Sequence, residues 1–176
     1  MKDLKDLVSE ASVSELQIKG IDAKKLIGLL QDALAEEYNA WYAYIVVCPF
    51  LVGNERTETI ELYKKNAEDE LNDHAAWLIE RISQLNGKPT EVLSPDMWNK
   101  TATHKYIMPN TKFDVMASLQ ENIKAEQGAI ETYTKLEQLT RDKDIVTNNK
   151  AKAILADEQE HLQELQDLLA DLKASK

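Results

Sequence analysis

Residues 157–161 read DEQEH, three carboxylates and a histidine inside the last long apolar-periodic segment of the chain. Acidic clusters on helices usually sit on solvated faces, so their position around the helix decides what they are. The apolar stripe of this segment runs Ala151, Ile154, Glu158, His161 or Leu162, Leu165, Leu168, Leu172, in steps of three and four. Glu158 and His161 therefore interrupt a buried seam. Glu160 falls with Glu164, Asp167 and Asp171 on the wet side. Of the acids in DEQEH, only Glu158 needs an inward partner.

The same reading extends to three earlier segments. One runs Met116, Leu119, Ile123, Glu126, Ile130, Tyr133, Leu136, with Glu121 and Glu131 off the stripe. Another runs Leu26, Leu30, Ala33, Glu37, Ala40, Tyr44, Val47; here Glu36 falls with Asp32 and Asn39 on a polar flank and reads as solvated. The remaining one runs Ile60, Tyr63, Ala67, Glu70, His74, Trp77, then Ile82 and Leu85, with Asp69 and Asp73 towards the outside. Each helix thus places a carboxylate near mid-length on its buried face, and two add a histidine. Taken singly, any of these is as readily a rim acid or a neutral core histidine. Together they are harder to reach by accident, because the chain has only three histidines and two fall at matched depths. Four buried carboxylates without cations would repel one another strongly. A pair of divalent ions held by four Glu and two His resolves this, and the oxygen and imidazole donors suit iron or manganese.

The helices are joined in an informative pattern. Asp22 is an N-cap for the first, which runs to Cys48-Pro49, and Gly53-Asn54 marks a turn before the second. The second extends from about residue 56 to Asn86-Gly87, a helix stop. Residues 87–110 hold Pro89, Pro95 and Pro109 without a sustained period, apart from a short turn expected around 96–100. The third helix spans about 112–140, Arg141-Asp142-Lys143 is a short link, and the fourth spans about 145–172. Short, long and short links specify a four-helix bundle with one crossover, so that the third helix runs parallel to the second. The fold class is all-α, with residues 1–20 an arm and 21–176 a single domain of sufficient size for a core.

Composition narrows the function. Asp and Glu outnumber Lys and Arg by 31 to 21, a net charge of -10, which opposes binding to DNA or an anionic membrane and favours cations. The segment MKDLKDLVSE is too charged for a signal peptide core, and no run of about 18 apolar residues suggests a membrane span, so a cytoplasmic protein is expected. The single Cys48 excludes an internal disulfide and a cysteine-rich metal knuckle.

These residues resemble the ferritin-like superfamily, especially bacterioferritin and the Dps-like ferritins. LAEEYNAWYAY carries an E-x6-Y pattern at Glu37 and Tyr44, AEQGAIETY repeats it at Glu126 and Tyr133, and DEQEH carries E-x-x-H. HAAWLIERISQLNGKP is similar to the stretch after the bacterioferritin helix B histidine ligand. The likeness covers most of residues 22–172. Three departures accompany it. The family's E-x-x-H on the second helix requires Glu at position 71, which is Leu71, so Glu70 serves from one residue earlier, aided by a local π-bulge. Position 72 is Asn72 where bacterioferritin has its haem methionine, so no haem is expected. The first helix lacks the histidines of the intersubunit Dps site, so an intrasubunit site is implied.

The resemblance implies a ferroxidase: two iron ions per subunit, manganese being possible, held by Glu37, Glu70, His74, Glu126, Glu158 and His161 and oxidised by O2 or H2O2. Iron storage and protection from oxidative stress would follow. Glu70 and Glu158 are implied as the bridges. Tyr44 and Tyr133 read equally as hydrogen-bond partners of the ligand carboxylates or as core aromatics. Leu34, Tyr38, Trp41 and Ile45 form a second apolar face on the first helix, either a subunit interface or a wide core face. The family's cages, and the absence of a short helix after the fourth, point to a dodecamer built from dimers. Trp98 and His104 read as exposed loop residues, or as supports for assembly or a path inward. Rival readings are a rubrerythrin-like peroxidase, a manganese catalase-like enzyme, a DNA-protecting Dps and a metal-free structural bundle.

Overall fold

The computed structural model describes residues 18, 20–89, 104–105 and 111–175. Helix α1 (Ala23–Val47) starts at Asp22, whose carboxylate accepts the Lys24 amide at 2.9 Å, satisfying a donor that the first turn leaves open. Pro49 stops it in a 3-10 turn, Cys48–Phe50, followed by strand β1 (Leu51–Val52). The chain reverses at Gly53, where φ is 121°, a value that L side chains rarely adopt.

The second rod consists of α2 (Arg56–Asp69), a π-helical turn (Glu70–Ala75) and α3 (Ala76–Gln84). It stops at the expected place: Asn86 takes the left-handed conformation, φ 61°, and the Gly87 amide bonds the Ile82 carbonyl at 2.8 Å. Gly87 is needed for a different reason, since a Cβ there would lie 2.8 Å from methyls of both Ile27 and Ile82. The π turn shifts the phase of everything after it. An α-helical stripe carries Trp77 inward, but the protein buries Ala75, Leu78 and Ile82 and leaves Trp77 half-buried. One extra residue in a turn rotates the following helix by that residue.

Strand β2 (Phe113–Asp114) leads into α4 (Val115–Thr140), capped by Asp114, and α5 (Ile145–Ala174) follows, capped by Asp144. The sequence reading expected no strand, but β1 pairs in parallel with β2, Leu51 with Phe113 and Val52 with Asp114. The pairing places the starts of α2 and α4 at the same end, so these helices run parallel and the connection between α3 and β2 crosses the bundle's length. This is the expected all-α, one-crossover, ferritin-like bundle. Most of the crossover, with Trp98 and the turn at 96–100, lies outside the described residues, as does the arm apart from Ile18 and Gly20. Ile18 packs against the core. Among the described residues, no helix is long and apolar enough to cross a membrane.

Two apolar clusters fill the interior. One contains Leu26, Leu30, Leu34, Leu78, Ile82 and Ile154; the other contains Val47, Leu51, Leu119, Leu165 and Leu172 with Tyr44 and Tyr63. The second apolar face of α1 divides between its two readings. Leu34 belongs wholly to the core and Tyr38 and Trp41 pack partly against it, whereas Ile45 is 39 % exposed. Near the link between α4 and α5, Arg81 and Asp144 form a fully buried pair that the sequence reading did not anticipate.

Candidate metal centre

The six candidate ligands converge between the two apolar clusters, one turn or less from the middle of each rod. Glu37 comes from α1, Glu70 and His74 from the π turn, Glu126 from α4, and Glu158 and His161 from α5; all six are buried. The π turn explains how Glu70 takes part. It inserts one residue between Glu70 and His74, so that E-x-x-x-H presents both side chains to the same space.

The His74 Nδ1 lies 3.1 Å from Glu70 Oε2, 3.3 Å from Glu37 Oε2 and 3.3 Å from Glu158 Oε1. The His161 Nδ1 lies 3.4 Å from Glu70 Oε1 and 3.8 Å from Glu158 Oε2. Glu70 and Glu158 thus each direct one oxygen to either imidazole. The donors form two sets, Glu37, Glu70, His74, Glu158 and Glu70, Glu126, Glu158, His161, with the ligand atoms in each within 4.8 Å of one another. Both oxygens of Glu158, Oε1 of Glu70 and Nδ1 of His161 are buried without a hydrogen-bond partner. Such groups are costly in a protein interior, and their inward convergence fits cations better than any rearrangement among themselves.

A second layer repeats the pseudo-twofold pattern. The Tyr44 hydroxyl donates to Glu126 Oε1, and the Tyr133 hydroxyl donates to Glu37 Oε1. The two tyrosines are therefore both core aromatics and partners of site carboxylates. The Nε2 atoms of the histidines face Asp residues: His74 faces Asp157 Oδ2 at 3.4 Å, and His161 faces Asp69 Oδ2 at 3.3 Å. The sequence reading missed this role because both acids are only half-buried, with side chains 47 % exposed for Asp69 and 44 % for Asp157. A signal was present: an Asp immediately precedes each of Glu70 and Glu158. Such a carboxylate holds the ring's far nitrogen and leaves Nδ1 free to act as a ligand.

The electrostatics follow from crowding in a dry space. Burial, reinforced by Glu70 and Glu158, pushes the Glu37 carboxyl well above its usual range, and burial with Glu158 and Glu70 does the same to Glu126. Burial also pushes Glu70 upward, but the His161 and His74 imidazoles beside it outweigh this and hold the carboxylate below the usual range. For both imidazoles, burial disfavours the charged form and is outweighed by the surrounding carboxylates. Their pKa values rise, that of His161 to about 11. The cation-free cluster therefore holds protons.

Two expectations need correction. Glu36, read as solvated, is only 9 % exposed and accepts the Thr132 hydroxyl at 3.0 Å, because α4 packs over the flank it occupies; Asn39 is buried beside it. His104, read first as an exposed loop residue, is folded back onto the bundle, its Nε2 3.0 Å from Glu121 Oε2. Glu36, Asn39 and His104 line a cavity that reaches Glu37, Glu70, Glu126 and Glu158.

Comparison with known proteins places this arrangement among relatives. The family profile described as "Ferritin-like domain" matches residues 27–175. A curated relative from Pyrococcus furiosus, named DNA protection during starvation protein, is 29 % identical over 150 residues, spanning 85 % of this chain and 80 % of the relative. Among solved structures, a dodecameric thioferritin from Bacteroides fragilis, described as bacterioferritin-related, is 35 % identical with TM-score 0.82, covering 97 % of this chain and 96 % of that one. A ferritin-like, diiron-carboxylate protein from Bacillus anthracis is 27 % identical with TM-score 0.70, covering 86 % and 99 %.

Proposed function

The chain belongs to the ferritin-like family, and from that premise we propose that it oxidises Fe(II) with O2 or H2O2 at an intrasubunit centre formed by Glu37, Glu70, His74, Glu126, Glu158 and His161. The observation that carries this reading is the sharing of Glu70 and Glu158 between two complete donor sets. A pair of Fe(II) ions supplies two electrons: one O2 with two protons leaves as H2O2, or one H2O2 with two protons leaves as two waters. The protein's part is to hold the pair. Glu37 with His74 would hold one ion, Glu126 with His161 would hold the other, and Glu70 and Glu158, which belong to both donor sets, would be shared between them. Asp157 and Asp69 set the imidazole orientations; Tyr133 and Tyr44 steady the two terminal carboxylates.

The direct test is an anaerobic Fe(II) titration of metal-stripped protein, followed by separate additions of O2 and H2O2 while near-ultraviolet absorbance is recorded. A break at about two irons per chain with rapid oxidation is expected; no saturable binding overturns the proposal. The faster oxidant identifies the working one. The donor set also accepts manganese, and metal analysis of protein isolated from its host distinguishes the two ions.

Iron uptake should be strongly pH-dependent. Glu37, Glu126 and both imidazoles have raised pKa values in the cation-free protein, so each entering ion displaces protons. Lower pH favours the protonated ligands, hence affinity falls as pH falls, and proton release in weakly buffered solution should accompany binding. Binding without proton release would contradict the assigned ligands.

Tyr44→Phe and Tyr133→Phe each remove one hydroxyl from one half of the centre. Each should weaken Fe(II) binding about 10- to 100-fold while leaving the fold intact. Equal affinity in both variants and the parent would reduce the tyrosines to core packing.

The thioferritin relative supports assembly as a homo-oligomer, with a dodecamer as the specific proposal; light scattering of the purified protein measures it. Storage of iron and protection from oxidative damage are the roles such an assembly would serve. The Pyrococcus relative's name favours a second reading, protection of DNA. The net charge of -10 opposes direct contact with DNA. A gel shift at two salt concentrations separates the readings, retardation that weakens with salt being the result expected of a DNA binder.

A further inference from the structure

We infer that Asn66 decides which oxidant the centre takes: its carboxamide seats a small hydroxylic molecule, H2O2, beside the Glu126–His161 half of the donor set. This inference deepens the ferroxidase reading above and rests on it. Asn66 has no exposed surface, and neither its Nδ2 donor nor its Oδ1 acceptor has a protein partner. It stands one turn before Glu70, whose backbone N–H bonds the Asn66 carbonyl, so the two residues share one face of α2. Cations account for the unpartnered oxygens of Glu158 and Glu70. They do not account for Asn66, because a metal ion repels the amide N–H. A guest that satisfies both ends must accept one hydrogen bond and donate another, as a hydroxyl does.

The pseudo-twofold pattern of the centre is broken at this point. Four residues before Glu70 and Glu126 stand Asn66 and Asn122, whereas four before their counterparts Glu158 and Glu37 stand Ile154 and Ala33. Seven before Glu70 is Tyr63, and seven before Glu158 is Ala151. Ile154, Ala33 and Ala151 all belong to one apolar cluster. On the other side the Tyr63 and Ser118 hydroxyls bond at 2.8 Å, and Asn122 Nδ2 donates to the Ser118 carbonyl at 3.0 Å. The Tyr63 ring packs 5.0 Å from that of Tyr44, whose hydroxyl donates to Glu126. These groups pair with one another, and Asn66 keeps its amide uncommitted. Since isoleucine serves at the mirror position, packing alone does not require an amide at 66.

H2O2 fits this seat and O2 does not. Each oxygen of H2O2 both donates and accepts, whereas O2 has no hydrogen to donate and accepts only weakly. A site built to hydrogen-bond a hydroxyl discriminates against a molecule that lacks one, because its buried polar groups are then left unpaired. In the reaction the O–O bond of H2O2 takes one electron from each of two Fe(II) ions and two protons from solvent, and the oxygens leave as two waters. Asn66 positions the peroxide and exchanges neither electron nor proton.

The test compares two rates. Full-length, metal-stripped protein is loaded anaerobically with Fe(II) and mixed by stopped flow with H2O2 or with O2 over a range of concentrations. The parent should oxidise Fe(II) faster with H2O2. Asn66→Leu, which removes both polar atoms, should lower the rate at limiting H2O2 about tenfold by raising the half-saturating concentration. Its rate with O2 should match the parent's. Anaerobic titration with Co(II) alone should return the parent's occupancy in the variant. Equal changes with both oxidants, or none with either, overturn the inference and reduce Asn66 to a packing residue. Lost Co(II) occupancy overturns it too, placing Asn66 with the metal ligands. A parent faster with O2 overturns the inference and leaves the centre standing. Absence of saturable Fe(II) binding by the parent overturns the ferroxidase reading and this inference together. Should Asn66→Leu fail to fold, Asn66→Ala makes the same comparison.

Discussion

Glu158→Ala and His161→Ala should each remain folded and helical yet lose rapid Fe(II) oxidation, by more than about a hundredfold. The size follows from their place in the donor sets. Even hydrogen-bond partners of metal ligands are worth about 10- to 100-fold, and Glu158 belongs to both sets. Its loss removes a donor from each ion, whereas loss of His161 strips one set only. Glu158→Ala should therefore be the more severe in the Fe(II) titration. Circular dichroism separates this from unfolding. Thermal denaturation adds an independent readout. An ion that binds only the folded chain stabilises it by about 2.7 kcal/mol when present at 100 times its Kd, and Glu158→Ala should lose that gain. Unchanged oxidation kinetics in both variants would sink the site assignment.

Arg81→Ala should cost about 3–5 kcal/mol of folding stability without touching the metal centre. Arg81 is 1 % exposed, and its Nη2 donates to both oxygens of Asp144, at 2.9 and 2.8 Å. Its Nε donates to the Thr147 hydroxyl at 2.8 Å. Asp144 in turn caps α5 by accepting the Thr147 amide at 3.1 Å. Truncating Arg81 leaves a carboxylate buried without its counter-charge, which is far costlier than losing a surface pair. Against a typical total of 5–15 kcal/mol, such a loss moves the unfolding midpoint strongly, and urea denaturation measures it. A double-mutant cycle with Asp144→Asn should return a coupling well above the value for an exposed pair. A loss below about 1 kcal/mol would show that the knot between α3 and α5 is not important to stability.

Most of the fold was legible because its determinants are local. Asp22 caps α1, Pro49 ends it, Asn86-Gly87 ends α3, and the lengths of the links distinguish one crossover from simple up-and-down connection. The strand pair β1–β2 was not legible. Two residues against two carry too little pattern, and the pairing exists because the crossover returns the chain to the end where α2 begins.

By itself the sequence determined that the six candidate ligands face inward. Helical periodicity places Glu37, Glu70, His74, Glu126, Glu158 and His161 among apolar residues on one stripe of each helix, and that stripe is the part of an amphipathic helix that must be buried. The tertiary structure decided what surrounds them. Burial of Glu36 required α4 to lie across its flank, and pairing of Asp69 and Asp157 with histidines required α2 and α5 to meet in one register. The displacement of Trp77 required a π turn, and the Arg81–Asp144 pair spans 63 positions of chain. Each is a partially exposed or distant polar contact whose geometry depends on neighbouring rods, and periodicity along a single helix carries no information about a neighbour's register.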